Sequence, residues 1–167
     1  MPLNQRNMAQ NSERAPLDAT NRALVAELQV NARLTLAELG RRVGLSSPAV
    51  SERLAQLERR GVIEGYGARV NPRGLGLPLT AVIRIRPAPG QLANVADLAR
   101  ETPEVVECHR VTGDDCYVAT AHLRDVEHLE EVIDRFAARG QTTTSIVQSS
   151  PVPWRAIALD EEPGQEG

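Results

Sequence analysis

Residues 35–63 read TLAELGRRVGLSSPAVSERLAQLERRGVI, and this stretch decides the fold of the first half of the chain. Thr35 is a good N-cap for a short helix, and Gly44 ends that helix because glycine readily adopts the left-handed C-cap conformation. The apolar side chains between them recur at helical spacing and predict one buried face: Leu36, Leu39 and Val43.

A second helix is predicted directly after this one. Ser46 or Ser47 caps it, Pro48 occupies its first turn, and Gly61 ends it, so that it covers about Ser47–Arg60. Its buried face is predicted to carry three apolar residues: Val50, Leu54 and Leu57. Two helices joined by a short glycine-containing turn form a helix-turn-helix.

The segments on either side of the pair extend this domain. Asp18 predicts the N-cap of a preceding helix that ends near Asn31 and packs through a leucine-rich stripe. After the pair, Val62–Val70 is a plausible short strand or wing, although Gly65 and Gly67 interrupt it. The first half is therefore predicted to be a helix-turn-helix domain, with a wing.

The second half alternates strand-like and helical patterns in the order βαββαβ. This order predicts a ferredoxin-like sandwich in which two helices cover one face of an antiparallel sheet, so the fold class is α+β. A second copy of the chain is the simplest cover for the other face, which predicts a homodimer. The strands are predicted at Leu79–Arg86, Val105–Thr112, Cys116–Leu123 and Thr143–Gln148, and the helices at Gln91–Glu101 and Val126–Arg139.

The predicted domain organisation has five parts. Residues 1–15 are polar and aperiodic, and they predict a disordered arm. The remaining parts are a helix-turn-helix domain (16–73), a linker (74–78), a ferredoxin-like ligand-binding and dimerisation domain (79–154) and an acidic tail (155–167).

Composition excludes several classes of protein. The apolar and charged fractions, 41% and 25%, are ordinary for a globular protein, and no apolar run is long enough to span a membrane. Two cysteines are too few for a disulfide framework, which favours the cytoplasm. The front half has more arginines than acids and the rear half has more acids than arginines, so only the front half is suited to approach DNA.

No spacing of histidines and cysteines suits a metal site, and no cofactor is expected.

The chain resembles the Lrp/AsnC family of transcription regulators, also called feast/famine regulatory proteins. The resemblance rests on Glu38-Leu39, Gly44-Leu45-Ser46, Arg53-Leu54, Gly61-Val62-Ile63, Gly65-Tyr66, Val111-Thr112-Gly113-Asp114 and Thr144-Ser145-Ile146-Val147. It implies a bacterial or archaeal, nucleoid-associated regulator of transcription that binds double-stranded DNA. It also implies an amino-acid effector and homodimers that assemble into higher oligomers such as octamers.

The second helix of the pair is predicted to enter the major groove, where side chains near its N-terminus reach base edges. A step of 100° per residue turns one face of this helix away from the core. Arginines nearby would neutralise phosphates, with Arg53 favoured; solvated surface arginines are the alternative for each of them. The candidate DNA contacts are Arg33, Ser46, Ser47, Pro48, Ala49, Ser51, Glu52, Arg53 and Gln56.

The candidate effector site joins the predicted hairpin around Gly113 to the last strand. A free amino acid needs an acceptor for its ammonium group and donors for its carboxylate, and these residues offer both. The alternative is a purely structural two-residue turn, which would pair Cys108 with Ala119. The candidates are Gly113, Asp114, Asp115, Cys116, Thr144 and Ser145; Cys116 replaces the second acid of the family pattern.

Two further functions stay open on the sequence. Siroheme decarboxylases have a similar two-domain arrangement, and His109 offers a starting point for tetrapyrrole binding, but aromatic residues make up only 2% of the chain. A nucleoid-organising DNA binder without an effector would share the helix-turn-helix and leave the hairpin purely structural. No catalytic residues stand out, so an enzyme is not predicted.

Overall fold

A computed structural model describes residues 16–159 as two compact units. The first unit contains residues 16–68 together with 154–159, and the second contains residues 69–153. The division follows Ala68, a few residues before the predicted linker. The predicted N-terminal arm and residues 160–167 of the predicted tail lie outside the described residues.

The first unit is built from three helices whose ends are fixed by local sequence signals. Side chains of Asp18, Thr35 and Ser46 each accept a backbone N–H in the first turn of the helix that follows. Ser46 is therefore the cap of the third helix. The helices are α1 (Ala19–Val30), α2 (Leu36–Val43) and α3 (Ser47–Arg59).

The turn between α2 and α3 depends on two glycines. Gly44 has a φ of 73° and caps α2, as predicted. Gly40 is buried within α2, and a Cβ atom at this position would collide with the backbone oxygen of Leu45. Leu24, Leu39 and Val50 form the buried centre, so one residue from each helix fixes the helix-turn-helix geometry.

The predicted strand or wing at Val62–Val70 is absent from the structure, which has no strand in this segment. A strand needs a hydrogen-bonded neighbour, and within residues 16–159 no other strand pairs with this segment. A side-chain contact ties it to α3 instead, since the Tyr66 hydroxyl donates to Glu58 at 2.9 Å.

The second unit is the predicted four-stranded antiparallel sheet with two helices. A 3₁₀ helix (Pro72–Leu75) precedes it, and the strand order is β2-β3-β1-β4. The last strand begins at Gly140, three residues before the predicted start. The elements are β1 (Leu79–Pro87), α4 (Leu92–Glu101), β2 (Val105–Arg110), β3 (Tyr117–Leu123), α5 (Val126–Ala137) and β4 (Gly140–Ile146).

The two faces of the sheet differ in polarity and burial. One face is buried against the two helices, and its core includes Ile83, Ile85, Leu123, Val95 and Phe136. Residues that alternate with these, such as Val82 and Val118, are only half-buried on the other face.

No helix among residues 16–159 is long and apolar enough to cross a membrane.

A buried polar group ties α5 to the start of β2. Glu104 accepts hydrogen bonds from His128 Nε2 at 2.9 Å and from Arg135 at 3.2 and 3.3 Å. His128 Nδ1 accepts the Arg124 N–H, which leaves the ring proton on Nε2. Partial burial of Glu104 opposes its ionisation, but the hydrogen bonds outweigh it and lower its pKa to about 2.

Candidate functional site

The first candidate surface is the face of α3 that points away from the helical core. Val50 and Leu57 are fully buried, which turns the other side of the helix outward. Ser47 and Ala49 are half-buried at its first turn. The remaining candidates on this face are exposed: Pro48, Ser51, Glu52 and Gln56.

Two of the predicted DNA contacts have partners within the helical unit. The Ser46 side chain accepts the Ala49 N–H and caps α3. Arg53 donates to Asp18 at 2.8 Å and to Asn21 at 3.0 Å. The hydrogen bond from Arg53 is the main cause that lowers the pKa of Asp18 below its usual value. The favoured phosphate contact is therefore engaged in joining α3 to the start of α1.

Other arginines of the helical unit are open to solvent. Arg33 lies in the turn after α1, Arg41 on α2 and Arg59 at the end of α3, and all three are exposed. None of these three forms an ion pair within residues 16–159. Arg42 differs, because it pairs with Glu27 of α1 at 2.5 Å.

The second candidate site is the hairpin between β2 and β3. Gly113 has a φ of 109°, a conformation that favours glycine, whereas Asp114 does not adopt a positive φ. The Val111 N–H donates to the Cys116 carbonyl at 2.9 Å. The register predicted from a short turn is confirmed, since Cys108 lies opposite Ala119. Both cysteines are free, and burial raises the pKa of the Cys108 thiol.

A residue that the sequence analysis missed holds this hairpin. Arg86, at the end of β1, donates through Nε to the Asp114 carbonyl at 3.2 Å and lies 3.3 Å from the Asp114 carboxylate. Its distance to the Asp115 carboxylate is 3.9 Å. No local signal points to this contact, because it spans 28 residues and depends on the order of the strands. The Arg86 guanidinium thus lies beside the carboxylates of Asp114 and Asp115 in the turn.

The structure does not bring all the predicted effector residues together. Thr144 and Ser145 lie on β4, opposite Ile83 and Val82, so that β1 separates them from the hairpin strand β3. Neighbouring residues in a strand point to opposite faces, and Thr144 therefore shares the helix-covered face with Ile83 while Ser145 does not. One chain brings together Gly113, Asp114, Asp115 and Cys116 only.

Two of the three histidines form hydrogen bonds with other side chains, and the third is exposed. His122 Nδ1 lies 3.1 Å from the Thr80 hydroxyl, His128 contacts Glu104, and His109 is exposed. Within the part of the chain that the structure describes, no group of three or more His, Cys, Asp or Glu side chains is placed to hold a metal ion.

Comparison with known protein families assigns both units. Residues 17–58 match the AsnC-type helix-turn-helix domain, and residues 80–157 match the Lrp/AsnC ligand binding domain. Together the two matches span most of the chain, and each of them contains one of the two candidate sites.

Individual proteins agree with these family matches. The uncharacterised HTH-type transcriptional regulator YezC of Bacillus subtilis is 41% identical over 134 residues, which cover 80% of this chain and 95% of that protein. The feast or famine regulatory protein of Mycobacterium tuberculosis, solved with L-methionine, is 35% identical with a TM-score of 0.79, covering 84% and 98% of the two chains. A transcriptional regulator of Neisseria meningitidis, also solved with L-methionine, is 29% identical with a TM-score of 0.76, covering 86% and 96%.

Proposed function

The chain belongs to the Lrp/AsnC family of transcription regulators, and from this premise we propose that α3 reads specific DNA sites under the control of a bound amino acid. Membership places the protein among transcription regulators and not among enzymes, so the siroheme decarboxylase alternative has no further support. The observation that carries the proposal is the capped, outward-facing N-terminal half of α3 in a helix-turn-helix.

The DNA contacts divide into two groups on this proposal. Exposed side chains at the start of α3 meet base edges in the major groove. Arg33, Arg41 and Arg59 contact phosphates, since they are exposed and make no ion pair within residues 16–159. Arg53 supports the fold of the domain, because it already binds Asp18 and Asn21. A regulator of this kind acts at the chromosome, in the nucleoid of a bacterial or archaeal cytoplasm.

The effector is an α-amino acid, and L-methionine is the first ligand to test because two similar proteins have been solved with it. The hairpin has complementary charges for such a zwitterion. Arg86 suits the ligand carboxylate, whereas Asp114 and Asp115 suit the ammonium group. In the free protein Arg86 and Asp114 pair with each other, so each charge has a partner before the ligand binds.

Assembly completes the site in this proposal. A cavity of about 430 Å³ lies beside His122, on the open face of the sheet, and exposed apolar side chains border it: Val70 and Leu75 from the segment before β1, and Val106 from β2. A second copy of the chain that covers this face would bury them and form a homodimer. Dimers then assemble into higher oligomers such as octamers, and a neighbouring chain supplies Thr144 or Ser145 to the hairpin.

Fluorescence anisotropy with the DNA upstream of the coding gene tests this function at two salt concentrations, with and without L-methionine. We expect tight, salt-dependent binding that the ligand alters, and a loss of sequence preference in Glu52→Ala and Gln56→Ala. Glu127→Ala, an exposed acid on α5, is the control. Equal affinity for upstream and random DNA would contradict specific regulation. Specific binding that no amino acid alters would instead favour an effector-independent DNA binder.

A further inference from the structure

The strand β4 forms one edge of the sheet, and no strand within residues 16–159 lies along its outer side. The Val147 N–H donates to the Thr80 carbonyl and the Ala88 N–H donates to the Arg139 carbonyl, both at 2.9 Å. Backbone groups of alternate residues in an antiparallel pair point to the same neighbour, so the odd-numbered residues of β4 bond β1 and the even-numbered residues point outward. The outward backbone groups form no backbone hydrogen bond within residues 16–159. They belong to Gly140, Thr142, Thr144 and Ile146.

The strand β4 lacks the features that usually keep an exposed strand edge from pairing with another strand. Charged side chains, proline and β-bulges are the common protections. All seven residues of β4 are uncharged, none is proline, and the pairing with β1 is regular. The opposite edge strand, β2, has an irregular register between Val105 and Glu107 and ends in Arg110. The edge that is open to a further strand is therefore β4.

We infer that the β4 strands of two copies of this chain pair edge to edge, antiparallel, about a twofold axis at Thr143. This register aligns the whole of β4 and places Thr142 opposite Thr144 of the second copy, so that the outward N–H and C=O groups bond each other. A twofold contact sets a strand against its own sequence, and the absence of charge in β4 removes the repulsion that like charges would cause. Threonine pairs across neighbouring strands are also favourable.

The edge contact is distinct from the open face of the sheet. Side chains of β4 keep their faces in this pairing, so Ser145 stays on the open face. The chain then has two surfaces that each pair with themselves, and their combination joins dimers into larger assemblies. The inference rests on the proposed assembly only for this last step, since edge pairing needs no contact through the open face.

The first test changes the outer edge of β4 in the full-length protein. Thr142→Pro removes an outward N–H and leaves the bonds to β1 in place, because the Thr142 N–H does not point to β1. Thr142→Val keeps this N–H and is the matched control. We expect light scattering to show that Thr142→Pro lowers the mass of the assembly by at least half, and that Thr142→Val keeps the mass of the wild type.

The second test detects the register of the edge contact by disulfide formation. Gln141 lies opposite Ser145 of the second copy, with about 4.5 Å between the Cα atoms, which suits a disulfide. A mixture of Gln141→Cys and Ser145→Cys should therefore form a mixed disulfide dimer under a mild oxidant. Gln141→Cys alone should not, because its two copies lie about 13 Å apart along the strands. The wild type is the control for the native Cys108 and Cys116.

The two tests separate this inference from the proposed open-face dimer. An unchanged mass for Thr142→Pro without a mixed disulfide would overturn the edge contact and leave the open-face dimer standing. A dimeric wild type that becomes monomeric in Thr142→Pro, together with the mixed disulfide, would support the edge contact and reject the open-face dimer. A monomeric wild type at micromolar concentration would overturn both. If Thr142→Pro does not fold, the presence or absence of the mixed disulfide decides.

Discussion

Arg53 of α3 donates a 2.8 Å hydrogen bond to Asp18, the residue that caps α1. The same guanidinium donates a hydrogen bond to the side-chain oxygen of Asn21, a residue that is 3% exposed. One arginine thus joins the first turn of α1 to the helix proposed to read DNA. The arrangement gives Arg53 a structural role that its position on α3 alone did not suggest.

Arg53→Ala is expected to destabilise the protein by about 1 to 3 kcal/mol, because it leaves the buried Asn21 oxygen without a donor. The exposed ion pair with Asp18 adds little to this value. Arg59→Ala, which removes an exposed arginine from the same helix, is the control and is expected to change stability by less than about 0.5 kcal/mol. Urea unfolding measures both. Unchanged stability of Arg53→Ala together with weaker binding to all DNA sequences would instead make Arg53 a phosphate contact.

The turn of the helix-turn-helix gives a second prediction. Gly40→Ala places a Cβ against the Leu45 backbone oxygen, and we expect a loss of about 1 to 3 kcal/mol because the backbone has to shift. Gly44→Ala has open space around the new Cβ and is strained only by its positive φ, at a cost of about 1 kcal/mol. Thermal or urea unfolding should therefore rank Gly40→Ala as the more damaging of the two, and the reverse order would contradict this packing.

The sequence allowed accurate prediction of elements whose signals are local. The caps at Asp18 and Thr35 and the stop at Gly44 located the helices, since each depends on residues within one turn. The antiparallel sheet with two helices on one face followed from the βαββαβ pattern because few topologies accommodate it. The last strand was predicted to start at Thr143, three residues late, because Gly140 and Gln141 lack the apolar alternation that marks a strand.

Features that depend on distant contacts were not predictable from the sequence. The strand proposed for Val62–Val70 has the right composition but no hydrogen-bonding partner within residues 16–159. Arg86 and Arg53 have charged partners 28 and 35 residues away, which become neighbours only after the sheet and the helices assemble. Thr144 and Ser145 looked like one pair beside the hairpin, but the strand order puts β1 between them and β3.

The partly buried Glu104 predicts that stability depends on pH in the acidic range. Its folded-state pKa of about 2 lies below the ordinary value of 4.5, so ionised Glu104 stabilises the fold above pH 4.5, and this contribution is lost as the pH falls towards 2. The shift from 4.5 to about 2 corresponds to about 3 kcal/mol. We expect Glu104→Gln to lose this pH dependence, while Glu130→Gln, an exposed control on α5, keeps it. Parallel stability curves for Glu104→Gln and the wild type between pH 5 and pH 2 would contradict the assignment.

Arg86 gives the sharpest test of the proposed effector site. If its guanidinium binds the ligand carboxylate, Arg86→Gln should lower the affinity for L-methionine about tenfold to a hundredfold, the usual worth of a charge-assisted hydrogen bond. Arg84→Gln is the matched control, because Arg84 is exposed two residues away on the same strand. Isothermal titration calorimetry measures both variants and the wild type.

The same titration separates the two functions that Arg86 could serve at the hairpin. In the free protein Arg86 neutralises Asp114, so a ligand whose ammonium group simply replaced Arg86 would bind more tightly to Arg86→Gln. A ligand whose carboxylate binds Arg86 would bind more weakly, and the decarboxylated amine of methionine would lose affinity for the wild type to a similar degree. Tighter binding of methionine to Arg86→Gln, with the amine unaffected, would therefore reject the carboxylate contact and leave Asp114 as the residue that recognises the ligand.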